Sequence, residues 1–248
     1  MTKSSAFGAA FNVGRRQVER ATVVGTITLG GNATVITTAT GMGGSPITTS
    51  VAVLLNDTAD TVAEKIRVAL RGVGNITAMF DVMGSGPYVE LRRKIAAADI
   101  ANLNISVANG TCTGLTDDTT SDAIVVGVVS TTIAQVKSIG GPSLSLDTED
   151  VTTHDSTAAF EEVVATILRS GEVNLDIVYD PAGATHSASA GLLDYVENKT
   201  LVFCDLVFFS TYNWTFGAYV TGFEPSAPVD GALSATVTLK IAEAPTLE

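Results

Sequence analysis

The stretch 133–156, I-A-Q-V-K-S-I-G-G-P-S-L-S-L-D-T-E-D-V-T-T-H-D-S, constrains this chain more than any other part of it. Ile133, Val136 and Ile139 form an apolar run that Gly140-Gly141-Pro142 interrupts, the place where a strand bends or turns. Beyond that corner Leu144 and Leu146 alternate with Ser143, Ser145 and Asp147, the two-residue period of a half-buried strand. The polar run 147–156 reads as an acidic loop. It closes on Asp155-Ser156-Thr157, side chains that suit a helix N-cap. A helix is expected over 157–169, with Phe160, Val163, Val164, Ile167 and Leu168 on one stripe and Gly171 as the C-terminal stop.

The pattern continues to the end of the chain. Val173, Leu175 and Ile177 alternate with Asn174 and Asp176, and Asp180-Pro181-Ala182-Gly183 turns the chain. A short helix is expected over 187–197, with Leu192, Leu193 and Val196 inward, and strands over 201–209, 214–220 and 232–241. Together with a first strand over 5–13, these elements predict a mainly β fold: a β-sandwich or partial barrel with one packed α-helix. Composition agrees, because the apolar residues are Val, Ile, Leu and Ala interleaved with Thr and Ser, and only 16% of residues are charged. No run approaches the ~18 consecutive apolar residues that a spanning helix requires. The N-terminus M-T-K-S-S-A-F-G-A-A-F has no apolar core long enough for a signal peptide, so the expectation is a soluble, β-rich protein.

Residues 18–124 have a different character. A strand over 21–29, the hairpin signal Gly30-Gly31-Asn32 and a returning strand over 33–39 lead through the loop 41–46 to another strand over 47–55. Asn56-Asp57-Thr58 caps a helix with Val62, Ile66, Ala69 and Leu70 on one face. Strands over 80–83, 88–91 and 103–107 follow, and residues 110–114 and 116–122 read as a closing linker. This is a small α+β module in its own right. Placed between a first strand and its partners, it reads as a domain inserted at a hairpin tip, where lengthening a loop costs only ~0.6 kcal/mol per doubling. The reading is therefore a discontinuous domain of residues 1–17 and 125–248 that carries an inserted domain of residues 18–124.

The search for chemistry finds little. His154 lies in T-T-H-D-S beside Asp155, with Asp147 and Asp150 nearby, but the spacing matches no metal-ligand or acid–base pattern. The Gly-rich segments 41–46 and 84–87 lack a following Gly-Lys-Ser/Thr, and no G-x-G-x-x-G or G-x-S-x-G occurs. Asp117-Asp118 and Glu161-Glu162 read as a linker and a solvated helix face, and Arg92-Arg93-Lys94 as an exposed strand end. The aromatic residues Phe203, Phe208, Phe209, Tyr212, Trp214, Phe216, Tyr219 and Phe223 fall in alternating strands and read as core or interface. Cys112 and Cys204 are expected as free thiols, consistent with folding in a reducing compartment. The net charge of −12 argues against a nucleic-acid clamp. Residues 18–124 contribute −3 of it and the remainder −9, so the acidity lies mainly in the discontinuous domain.

The series K-S-I-G-G-P-S-L-S-L-D-T-E-D-V-T-T-H-D-S, followed by S-G-E-V-N-L-D-I-V-Y-D-P and the ending V-T-G-F-E-P-S-A-P-V-D-G-A-L-S-A-T-V-T-L-K, resembles the major tail tube proteins of long-tailed, lambda-type bacteriophages. The resemblance covers about half the chain. The middle segment resembles an accessory α+β module of phage structural proteins through N-A-T-V, D-T-A-D-T-V-A-E-K-I-R and N-G-T-C-T-G-L-T. The resemblance implies a virion structural subunit: hexameric rings stacked into a tube, with DNA passing through the lumen without sequence-specific binding. It implies partners among other tail proteins (terminator, initiator or baseplate, tape measure), no catalysis, no metal and no cofactor. It also implies assembly in the host cytoplasm and an acidic lumen that repels DNA. An inter-subunit or inter-ring loop is expected at Asp147, Thr148, Glu149, Asp150, Val151, Thr152, Thr153, His154 and Asp155, with the insert displayed outside the tube. Two alternatives stay open: a carbohydrate- or surface-binding adhesin or capsid decoration protein, and the related secretion-system tube.

Overall fold

The computed structural model describes residues 9–153, 161–208 and 212–247. The described residues divide into two compact units, one of Gly14–Val129 and one of Met1–Val13 with Ser130–Glu248. The chain crosses between them on β1 (Ala10–Arg15) and β11 (Val128–Thr132), which are neighbours in one sheet.

The unit Gly14–Val129 contains β2 (Val18–Thr22), β3 (Val24–Leu29), β4 (Gly31–Thr38), β5 (Ile47–Val53), α1 (Ala59–Arg71), α2 (Gly74–Met79), β6 (Phe80–Met83), β7 (Tyr88–Arg93), β8 (Asn104–Asn109), β9 (Thr113–Thr116) and β10 (Asp122–Val125). Thr58 caps α1 as its sequence suggests, its Oγ1 accepting from the Thr61 N–H at 3.4 Å. Val62, Ala63, Ile66 and Leu70 then fall on one face and are fully buried with Val35, Phe80, Leu91 and Ile105. Burying each of the larger side chains stabilises the unit by about 1.5–3 kcal/mol.

Three expectations fail in this unit. The segment 21–29 breaks at Val23 into β2 and β3, which join different sheets. Gly30-Gly31 does not close a β3–β4 hairpin: β3 pairs with β9, and β4 with β5 and β8. The supposed linker 110–122 contains β9 and the start of β10. The reason lies in Gly25 and Gly114, both at positive φ, where a Cβ on either would sit 2.2 Å from a carbonyl oxygen of the facing strand. Two bare backbones approach there, so a Thr/Gly-rich stretch that looks like linker becomes a strand.

The second unit is built on an eight-stranded sheet in the order β11-β1-β16-β17-β18-β15-β12 with β19 beside β17. Its later members are β12 (Val136–Gly140), β15 (Glu172–Val178), β16 (Leu201–Phe208), β17 (Tyr212–Ser226), β18 (Ser234–Ile241) and β19 (Thr246–Leu247). Between β12 and β15 the chain forms a two-stranded antiparallel ribbon, β13 (Leu144–Asp150) and β14 (Val163–Ser170). One sheet face buries Val173, Leu175, Ile177, Val202, Leu206, Phe216, Val237 and Leu239, and α3 (Leu192–Glu197) packs there through Leu192 and Tyr195. The fold is mainly β, with its packed helix at α3.

The helix expected over 157–169 is not formed where it is described. Residues 163–170 are strand β14, and Phe160 and the cap Asp155-Ser156-Thr157 lie outside the described residues. Val163, Val164, Thr166 and Ile167 are β-branched, and their propensity for extended backbone prevails over an apolar spacing that suits either state.

Candidate functional site

Four of the nine residues expected in an assembly loop lie in the ribbon. Asp147, Thr148, Glu149 and Asp150 are in β13, not in a loop, with Thr148 opposite Ala165, Glu149 opposite Val164 and Asp150 opposite Val163. The Asp147 carboxylate accepts a 2.6 Å hydrogen bond from Arg169 Nε, and its carbonyl accepts from Thr166 Oγ1 at 3.0 Å. Beyond β13 the two arms stay together, Val151 N–H donating to Glu162 O at 2.8 Å and Glu162 N–H to Thr152 Oγ1 at 2.9 Å. Asp150 accepts from the Thr152 hydroxyl and N–H, and these bonds hold its carboxyl below the usual range. Val151, Thr152 and Thr153 follow β13 without regular structure, and His154 and Asp155 lie outside the described residues.

What the residue pattern did not single out is the apolar surface of this ribbon. Leu144, Leu146, Val163, Val164, Ile167 and Leu168 are all 43–66% exposed. A two-stranded ribbon is marginally stable in water without a hydrophobic surface to lie against. The signal was present as the β-rich string V-V-A-T-I-L, which a helical spacing also fits.

The other face of the main sheet is polar and already hydrogen-bonded to itself. On adjacent strands, Asp176 stands opposite Thr236, Asn174 opposite Thr238 and Glu172 opposite Lys240. Asp176 accepts from Ser138 Oγ at 2.6 Å and from Thr236 Oγ1 at 2.9 Å, and these two bonds hold its carboxyl low. Asn174 Oδ1 accepts from Thr238 Oγ1 at 3.1 Å. The face presents carboxylates and hydroxyls whose hydrogen bonds are largely satisfied across the strands. At the two ends of the sheet, β11 and β12 have no further strand partner among the described residues.

The candidate chemical groups have structural roles. His186 is fully buried; its Nδ1 accepts from the Asp180 N–H at 3.2 Å, which leaves Nε2 protonated to donate to Ala134 O at 3.0 Å. Asp117 accepts from the Asn109 N–H, and Asp118 from the N–H groups of Thr22 and Thr120. Arg93 donates to Ala98 O at 2.7 Å, which orders a strand end. Both cysteines are free and buried, and burial pushes the Cys204 thiol far above its ordinary value. Phe216 packs against Phe11 with centroids 6.3 Å apart and Tyr179 edge-on to Phe223 at 5.1 Å, whereas Tyr212 and Tyr219 stay exposed. Among the described residues no group of three or more His, Cys, Asp or Glu is placed to hold a metal ion.

No family model matches the chain, and no curated protein matches it. Among solved structures, it is similar to a chain of the virion of a native gene transfer agent particle, at 14% identity and TM-score 0.41, covering 48% of this chain and 88% of that one. A chain of the tail of the empty particle, refined with C6 symmetry, aligns at 15% identity and TM-score 0.41 over 48% and 86%. A chain of an extracellular contractile injection system, in its extended sheath–tube complex, aligns at 17% identity and TM-score 0.36 over 47% and 82%.

Proposed function

We propose that this chain is the structural subunit of a phage tail tube, assembled as stacked hexameric rings around the channel through which DNA is ejected. The observation that carries the proposal is the ribbon β13–β14, whose six large apolar side chains remain 43–66% exposed among the described residues. Such a surface marks an interaction site, and a second copy of the chain is the partner a self-assembling subunit supplies. The open ends of the sheet at β11 and β12 favour edge-to-edge association in the same ring. The number six and the stacking follow from the sequence resemblance to lambda-type tail tube proteins.

The hydroxyl–carboxylate face of β12, β15 and β18 is the surface we assign to the lumen. Its carboxylates Glu172 and Asp176 are matched by Lys240 and Lys137, so it offers no net cationic row to hold phosphate, and its hydroxyls and carboxylates are already bonded to one another, so DNA slides past it without being read. The unit Gly14–Val129 is assigned to the outside of the tube, since a domain of that size in each subunit would obstruct the bore. Other tail proteins cap, initiate and measure the tube; the chain is assembled in the host cytoplasm and resides in the virion. No catalysis and no cofactor enter this function.

Negative-stain electron microscopy of the purified chain, fresh and concentrated, beside a solution mass measurement, tests the proposal. Rings or tubes with a central hole are the expected result once assembly is triggered by concentration or by an initiating partner. A compact dimer or trimer that never forms rings, even with tail partners added, sinks it. Density for Gly14–Val129 inside the bore would overturn the outward assignment alone.

A further inference from the structure

The unit Gly14–Val129 contains a cavity of about 520 Å³, within the range of sites for small organic molecules. Its lining includes Glu19 on β2, which is only 4% exposed, together with Asp99, Asn102 and Thr120. Three of these side chains are anchored through one polar atom. Glu19 Oε1 accepts from Ser121 Oγ at 2.8 Å, Asp99 Oδ1 from the Gly127 N–H at 2.5 Å, and Asn102 Oδ1 from the Thr40 N–H and hydroxyl at 2.9 and 2.8 Å. Glu19 Oε2, Asp99 Oδ2 and Asn102 Nδ2 are the other polar atoms of these side chains, Glu19 buried and Asp99 and Asn102 at the open side of the cavity. Polar groups anchored in this way are pre-organised for a ligand, because the entropy of fixing them is already spent in folding.

The chemistry of the lining narrows the ligand. No Lys, Arg or His lines the cavity, which rules out recognition of phosphate or sulfate by paired cations. Two carboxyl oxygens accept and one amide donates, the complement of adjacent hydroxyls on a ring. The buried Ile100 and Leu103 supply an apolar wall for the C–H face of such a ring. We propose that this cavity binds a single neutral sugar residue. Burial is the main cause that pushes the Glu19 carboxyl up, with Asp122 and Asp99 adding to it. A carboxyl so placed gains from neutral hydroxyl partners, where a bare carboxylate would call for a cation. The proposal concerns this unit alone and holds whether or not the chain forms tubes.

The test is saturation-transfer NMR on the full-length, unassembled chain, with glucose, galactose and mannose as neutral probes and butylamine as a charge probe. Ring-proton signals from at least one hexose are expected at millimolar concentration. Glu19→Gln and Asn102→Asp should each weaken binding about tenfold, the scale of one lost hydrogen bond to a pre-organised group, with the thermal melt still cooperative. Asn102→Asp keeps the oxygen that Thr40 bonds, so it serves if Glu19→Gln perturbs folding. Absence of any hexose signal, signals unchanged in both variants, or binding of butylamine without a hexose would each overturn the proposal. None of these results bears on ring formation, which microscopy reads separately.

Discussion

β14 and β15 are consecutive strands separated by Gly171 alone, yet they have opposite fates. β14, V-V-A-T-I-L-R-S, is the more apolar of the two, and Val163 to Leu168 are exposed throughout. β15, E-V-N-L-D-I-V, alternates strictly, and its Val173, Leu175 and Ile177 are fully buried beneath the sheet. Apolar content therefore does not decide burial within this subunit. Alternation does, because a sheet with one covered face buries every second residue and leaves the rest to water. A strand that is apolar on both faces is not covered by such a surface, and under the proposed function a second copy of the chain covers it.

The comparison can be broken most sharply at the ribbon. Ile167→Asp with Leu168→Asp is expected to abolish ring or tube formation in negative stain while the melting temperature of the unassembled chain barely moves. Loss of folding together with loss of assembly would show that β14 is cored within the subunit after all. On the other strand, Leu175→Ala should cost about 2–5 kcal/mol in urea unfolding, whereas Ile167→Ala should stay within about 0.5 kcal/mol. Equal costs would erase the distinction between the strands.

Gly171, the joint between the two, should lie in between. A Cβ there would stand 2.9 Å from Ser143 O and closer still to the Ser143 hydroxyl, and the Gly171 N–H donates to that carbonyl at 2.7 Å. Gly171→Ala should therefore cost about 1–3 kcal/mol and also weaken assembly, since the ribbon leaves the sheet at that point. A variant with unchanged stability and unchanged tubes would mean the ribbon's exit angle does not matter.

The smallest effect concerns the solvent face of β15. The bonds from Ser138 and Thr236 depress the Asp176 carboxyl in the folded state, so its contribution is present above the unfolded value of ~3.9 and is lost as pH falls through the folded value. Asp176→Asn should accordingly flatten the loss of melting temperature on acidification from neutral pH, without altering Leu175 beneath it. An unchanged acid profile would show that the ladder is not formed in solution.

Much of this architecture was legible in the residues. Thr58 and the spacing of Val62, Ile66 and Leu70 specified α1, and the alternation of 173–177 specified β15, because each pattern suits one period only. The stretch 163–169 was misread because apolar residues at Val163, Val164, Ile167 and Leu168 satisfy a helical stripe as well as a two-sided strand. The β3–β9 pairing was missed because it depends on the close approach of backbones at Gly25 and Gly114, far apart in the chain, which no local window contains. As for the candidate site, Asp147 to Asp150 were read as part of a loop and are in strand β13, and their apolar partner strand was assigned to a helix, so the exposed surface was not seen.

The sequence by itself determined that the protein is mainly β, where its best-capped helix begins, and that it offers no recognisable catalytic or metal-ligating pattern. These are consequences of local periodicity and of which residue types are present. Only the tertiary structure decided which strands pair, which apolar residues remain uncovered at β13–β14, and that Glu19, Asp99 and Asn102 line one cavity. Those facts arise from contacts between segments far apart in the chain, where the free energy of bringing surfaces together, and not the preference of any one stretch, chooses the outcome.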